Sequence, residues 1–414
     1  MPYILIKNGT LIDCTGADPV NNGAVLIQDQ KIIAVGAFNS IQVPEEDVTV
    51  IDAAGGTILP GLIDSHVHIM SQEHSLEKML SEPFSYKFYQ VPVYMKRTIE
   101  AGITTVRDAG GADLGTKKAI DDGLIMGPRL KISINALSIT GGHGDGWMPS
   151  GIDPNLFDSY PGFPSSRCDG VEEVRKRTRE LLRAGAEVIK ICSTGGVMSP
   201  TDRPEHTQFS PEELYVIVQE ASYHGNVKVM SHAQGTEGIK QAVLAGIHSI
   251  EHGIYLDDEV IELMLKKGTF LVPTLLAPVS IVENPELEKV LLPVVIEKAR
   301  AVAEIHKESI AKAYKAGVKI AMGTDAGVMP HGTNLRELGL MCDIGMSPMQ
   351  SLVATTRTAA ECLEWQDKVG TLETGKLGDV IVVKGDPLTN IRLMEDQGNI
   401  QIVIKEGKIL KKLA

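Results

Sequence analysis

Between about Pro60 and Glu364, short apolar runs alternate with longer amphipathic stretches. The strand-like runs fall at 61–65, 104–107, 130–134, 188–191, 227–230, 249–250, 269–273 and 319–323. Most are followed by a segment with helical periodicity. Ser210-Pro211-Glu212-Glu213 reads as a helix start, with an N-cap serine, proline in the first turn and a capping-box glutamate. Gly185, Gly246 and Gly317 each stand where a helix ends just before a strand. Eight such units predict an α/β fold, a (β/α)8 TIM-type barrel. A doubly wound open sheet is the alternative. No G-x-G-x-x-G opens a helix after a strand, which removes the usual reason to prefer it.

The two ends have another rhythm. Runs 3–7, 23–28, 31–36 and 48–52 are β-branched and separated by Asn, Asp and Gly turns. Runs 379–384 and 400–405 repeat that style, with turns at Gly385-Asp386-Pro387 and Glu406-Gly407. The economical arrangement is a small β-sandwich-like domain built from residues 1–59 and 365–414, around a barrel domain of 60–364.

Composition narrows the partners. A chain of 414 residues exceeds one ordinary core. A net charge of −13 argues against nucleic acid or an anionic membrane as the main partner. No apolar run approaches the ~20 residues of a membrane span. A small molecule or dipeptide remains, and a homo-oligomer is compatible with all of this. The five cysteines are scattered without a C-x-x-C pair, as in reduced proteins. The first residues lack a basic stretch followed by an apolar one, so the expected location is cytoplasmic.

Chemistry-bearing residues gather where a barrel keeps its active site, at the C-terminal ends of strands. His66 and His68 follow the first strand, and period-two spacing puts both imidazoles on one face. His232 ends the fifth run, His252 follows the sixth, and Asp325 follows the eighth. Each alone is ordinary; five at strand ends are a metal-ligand set. Imidazole and carboxylate suit zinc first, and also manganese, iron or cobalt. Lys190 lies in an apolar strand. Such a lysine either extends its amine to a carboxylate or solvent, or stays buried with a lowered pKa. A neutral amine can add CO2 to form a carbamate.

This pattern resembles the amidohydrolase superfamily of the binuclear, carboxylated-lysine type. The resemblance rests on the H-x-H, Lys190, the two later histidines and Gly323-Thr324-Asp325-Ala326-Gly327. Gly375-Lys376-Leu377-Gly378-Asp379-Val380 is similar to the family's return into its small β-domain. Four stretches, 104–111, 141–145, 193–200 and 231–235, resemble the imidazolonepropionase-like and Xaa-Pro dipeptidase (prolidase-like) group. Imidazolonepropionases lack the bridging lysine, so Lys190 points to the dipeptidase side.

The resemblance implies two divalent metal ions, one held by His66, His68 and Asp325, the other by His232 and His252. A CO2-derived carbamate on Lys190 would bridge them. A water shared by two cations would lose a proton near neutral pH. Asp325 would then carry that proton to the leaving amine. His143 is expected on the substrate carbonyl or carboxylate, or as structural support. Arg107 is a candidate for the same carboxylate, with an ion pair to Asp108 as the competing role. Gln234 is a further substrate-binding candidate, at a position where some relatives carry an aromatic residue. His206 and His331 lie in loops over the expected site and are candidates too. Trp147 is expected in the pocket or packed in its loop. His74, His224 and His306 are expected in solvent, and His248 in packing. The implied activity is hydrolysis of an amide next to a C-terminal amino acid, as in an Xaa-Pro dipeptidase. The alternative is another amide-like bond: an N-acyl amino acid, a cyclic amide or a carbamate. A non-catalytic scaffold on the same fold is a remote third reading, because the ligand set has no gap.

Overall fold

The computed structural model describes residues 3–45, 47–72, 75–148, 150–151, 153 and 159–413. His74 lies outside them. Seven strands form most of a parallel barrel: Leu62–Val67, Ile103–Asp108, Arg129–Ile132, Val188–Cys192, Lys228–Ala233, Ser249–His252 and Phe270–Val272. The third and fourth strands meet where Glu187 N–H donates to the Ile132 carbonyl at 2.9 Å. The eighth run is not a regular ladder. It bridges at Leu271–Ile320 on one side and Val67–Ala326 on the other, and so closes the barrel. Ser65 N–H to the Met322 carbonyl (2.9 Å) and His68 N–H to the Ala326 carbonyl (2.7 Å) seal that seam.

Alternation within the strands decides which residues enter the barrel. In Val188–Cys192, Ile189 and Ile191 join the core that contains the helix residues Leu181, Leu214 and Ile217. Val188, Lys190 and Cys192 therefore face inward. Val188 packs with Met230 and Ala109 below the site. The helices end as their sequence demands. Ser210 and Glu213 form a capping box, and Gly246 and Gly317 cap their helices in the left-handed region.

Both termini contribute to one eight-stranded sheet. Strand Tyr3–Leu11 is its hub. Its first half pairs with Val48–Asp52 and its end with Thr57–Pro60. Thr57–Pro60 in turn pairs with Val380–Val383 near the other terminus. Ile6, Ile27, Ile51, Val380 and Ile404 share the core between these limbs. Arg129 locks the sheet to the barrel, reaching Asp379 at 2.9 Å and Glu406 at 2.7 Å. Among the described residues, no helix is long and apolar enough to cross a membrane. All five cysteines are free.

Candidate metal centre

His66, His68 and Asp325 come together at the seam between the first strand and the eighth run. One ligand atom from each lies within 4.8 Å of the others, a spacing that one cation can occupy. The Asp325 Oδ1 is 3.5 Å from His66 Nε2 and 3.2 Å from His68 Nε2. Backbone hydrogen bonding from Asp325 N–H to the His66 carbonyl (2.8 Å) fixes this pair. Asp325 and His252 both adopt left-handed backbone, with φ of 64° and 74°. Such conformations cost energy for residues with a Cβ and gather at functional sites.

His232 and His252 form the opposite flank, with ring centroids 4.6 Å apart. His66 is 5.1 Å from His252, so the flanks adjoin. Each imidazole has one nitrogen anchored by a supporting group other than Asp325. His66 Nδ1 meets Glu251 Oε2 at 2.7 Å, His68 Nδ1 meets the Gly110 carbonyl at 2.9 Å, and His252 Nδ1 meets Thr274 Oγ1 at 2.7 Å. His232 is reversed: its Nε2 meets the Gly195 carbonyl at 3.1 Å, leaving Nδ1. Anchoring one nitrogen sets the tautomer and presents the other as a ligand. The donor set and its support therefore fit divalent metal ions.

Lys190 sits in the middle of its strand rather than after it. It pairs with Met230, whereas Cys192 pairs with His232. Lys190 thus starts two residues, or ~6.6 Å, below the His232 level. A four-carbon side chain spans that rise. The residue is 3% exposed. Burial pulls its pKa below the ordinary lysine range, against the opposing pull of Glu251 and Asp325. Its charge bears on His66, His68, His232, His252 and Asp325 alike.

Burial holds His66, His232 and His252 well below the usual imidazole range, in the neutral form that binds metal. Burial also lowers His68, but the Asp325 hydrogen bond and charge outweigh it and raise its pKa. Asp325 is pushed up by burial and further down by the His68 hydrogen bond and the His66 charge, so it lies below its usual range.

His143 stacks on His232, with centroids 3.9 Å apart and planes at 17°. Its Nδ1 meets Ser199 Oγ at 2.9 Å and lies 3.8 Å from Asp202. Gly196 lies directly on both rings. A Cβ there would sit 2.3 Å from His143 Cε1 and 2.7 Å from His232 Nε2. Gln234 is buried beside Thr194, whose Oγ1 accepts from the Gln234 N–H at 2.8 Å; the Gln234 Oε1 is buried without a partner.

Several candidates lie elsewhere. Arg107 is 1% exposed and donates to the Ser65 carbonyl, Ser249 and Glu251, at 2.7, 3.1 and 2.9 Å. Stripping such a buried cation of its partner costs several kcal/mol, about 3–5. Arg107 is thus committed beneath the site, to Glu251 rather than to Asp108 or a substrate carboxylate. His331 is also buried, bonded to the Ser71 carbonyl at 3.0 Å and stacked on Tyr94, which removes it from the substrate candidates. The His206 side chain is exposed, and its carbonyl accepts from Gly195 N–H. Trp147 is 46% exposed. His224 is exposed and His248 packs on Phe270, as expected. His306 differs. It is 1% exposed and bonded to the His252 carbonyl at 2.8 Å.

Sequence reasoning missed the supporting groups. Glu251 joins His66 to Arg107. Asp64 accepts from His66 N–H (3.1 Å), Thr324 Oγ1 (2.6 Å) and Asn334 Nδ2 (2.7 Å). Both are acids inside apolar strands, a signal visible in the sequence. Thr274, Ser199 and Asp202 carry no such signal.

A parallel barrel with buried histidines and a carboxylate at its C-terminal rim defines a metal-dependent hydrolase class. The chain matches the Amidohydrolase family over residues 57–410 and belongs to it. It is 35% identical to an ochratoxinase from Aspergillus niger, across 98% of this chain and 86% of that protein. A prolidase solved with N-methylphosphonate-L-proline superimposes with a TM-score of 0.92 at 32% identity, covering 99% of this chain and 100% of the other. An Xaa-Pro dipeptidase with methionine bound in its active site gives 0.88 at 34% identity, covering 98% and 99%. Family and relatives together make the protein a hydrolase of C–N bonds.

Proposed function

We propose that this protein is a binuclear metallohydrolase that cleaves the amide next to a C-terminal amino acid, with Xaa-Pro-like dipeptides as leading substrates. The observation that carries the reading is Lys190: a buried lysine with a lowered pKa, rising between two histidine flanks. The likeness to a prolidase and an Xaa-Pro dipeptidase supports the substrate class.

His66, His68 and Asp325 would hold one divalent ion, His232 and His252 a second, with Lys190 between them. Zinc is the first expectation for these donors. Bound ions supply Lewis acidity and a low pKa for their water. The Lys190 amine attacks the carbon of CO2 and loses a proton, leaving a carbamate with two oxygens and one negative charge. That charge gives the flank of neutral histidines its anion. Asp325 would take a proton from the attacking water. It then delivers that proton to the leaving amine, which departs only when protonated. His143 keeps Nδ1 on Ser199 and offers Nε2 to the substrate.

The ochratoxinase relative favours a second reading, in which the same site cleaves a non-peptide amide such as an N-acyl amino acid. A panel of dipeptides, N-acyl amino acids, lactams and carbamates, assayed on metal-replete protein, separates the two. Xaa-Pro turnover supports the first. Turnover confined to N-acyl amino acids, lactams or carbamates moves the assignment to the second, and turnover of none of these compounds removes both.

A further inference from the structure

The segment 193–208 forms one wall of the site. It places the Gly195 carbonyl on His232, Gly196 against His143 and His232, and Ser199 and Asp202 on His143 Nδ1. Asp202 ties the segment internally, accepting from Gly196 N–H at 3.2 Å, from Ser199 Oγ, and from Gln208 Nε2 at 2.9 Å. The wall is nevertheless a loop, whose ends are joined by a single antiparallel bridge, Thr194–Thr207, rather than a ladder.

Besides the two histidines, a side chain from a distant helix holds it. Lys298 projects from helix Pro293–Ala316. Its ammonium donates to the carbonyls of Gly196 (2.6 Å), Ser199 and Asp202 (3.2 Å). An ammonium has three N–H donors. Three carbonyls of a single loop engage all of them, and the Asp202 carboxylate lies 4.0 Å away. The side chain is 11% exposed, so little water competes. Neither substrate nor ligand residues need touch Lys298 for it to matter.

We infer that Lys298 is a positioning residue: by pinning the loop 196–202 it orients His143 toward the substrate. The inference rests on the proposed function for its catalytic consequence. The pinning itself does not.

Two measurements test it. The first is amide hydrogen exchange in 195–202 of the full chain. Lys298→Met and the milder Lys298→Gln should each speed it, and Lys298→Arg should restore much of the protection. The second is steady-state kinetics on the fastest substrate of the panel above. Lys298→Met should lower kcat/KM by ~10- to 100-fold, the usual span for supporting groups, with bound metal unchanged. In a His143→Ala background the same change should cost less than about twofold, because the route through His143 is already gone. Unchanged exchange in both Met and Gln variants overturns the inference. So does a full, independent loss in the His143→Ala background. If His143→Ala alone retains activity, or no substrate is turned over, the proposed function is what fails. The exchange result then still decides whether Lys298 holds the loop.

Discussion

The two flanks of the centre are built differently. Around His66, His68 and Asp325 charge is plentiful. Asp325 touches both rings, Glu251 backs His66, and Arg107 backs Glu251. Around His232 and His252 the direct supports are neutral: a carbonyl and a threonine hydroxyl. One flank is organised as a ligand triad by its own charges. The other is a pair of neutral imidazoles, and on the proposed reading a carbamate on Lys190 is what would supply its anion. A dication needs charge as well as lone pairs, so the asymmetry makes Lys190 the conditional part of the design.

Breaking Lys190 should have the largest effect. Lys190→Ala should leave about one metal per chain, retained by the triad, and lower kcat/KM beyond the ~10–100-fold typical of supporting groups. Metal analysis beside kinetics checks this. Two metals with full activity would refute the carbamate.

Glu251→Gln attacks the charged flank. It should weaken metal binding by ~10–100-fold. It also strips Arg107 of its buried partner, so the metal-free fold should lose roughly 3 kcal/mol, read from urea midpoints. Unchanged affinity would mean that Glu251 does not organise His66.

Thr274→Val is the matching cut on the neutral flank. A neutral hydrogen bond contributes about 1 kcal/mol, so affinity should fall only some fivefold, with little change in stability. Equal losses from Glu251→Gln and Thr274→Val would erase the asymmetry.

The last expected effect concerns pH and is confined to acid conditions. Each flank rests on one buried histidine, His306 under His252 and His331 beside His68, both held down at about 4 by burial. The ordinary value is 6.5, so between about pH 6.5 and 4 the unfolded chain binds more protons than the folded one. Their contribution is therefore present above about pH 6.5 and lost as pH falls towards 4. His306→Gln and His331→Gln should each flatten the decline of the metal-free protein's urea midpoint over that window. A parallel decline in both variants would reject this origin.

Legibility followed distance along the chain. The barrel could be read because each βα unit carries local signals, such as the Ser210 capping box and the glycines that close helices. The cluster of His66, His68 and Asp325 could be read because strand ends are predictable and His66 and His68 share one short run. What escaped depends on contacts across the chain. Arg107 meets Glu251 rather than its neighbour Asp108, at a separation of 144 residues. Lys298 meets Gly196 across 102. His306 looked solvated because an amphipathic helix does not announce which of its polar residues turns inward. The eighth run showed its apolar content in the sequence but not its irregular pairing, since closure is set by the curvature of seven other strands.

That closing seam also has a temporal meaning. His66 and His68 are synthesised early, and Asp325 more than 250 residues later. Thr57–Pro60 likewise awaits its partner Val380–Val383. The three-residue cradle therefore does not exist on a growing or truncated chain, however well its early strands fold. If this set takes a metal as proposed, capture by all three residues would have to wait until residue 325 has been made.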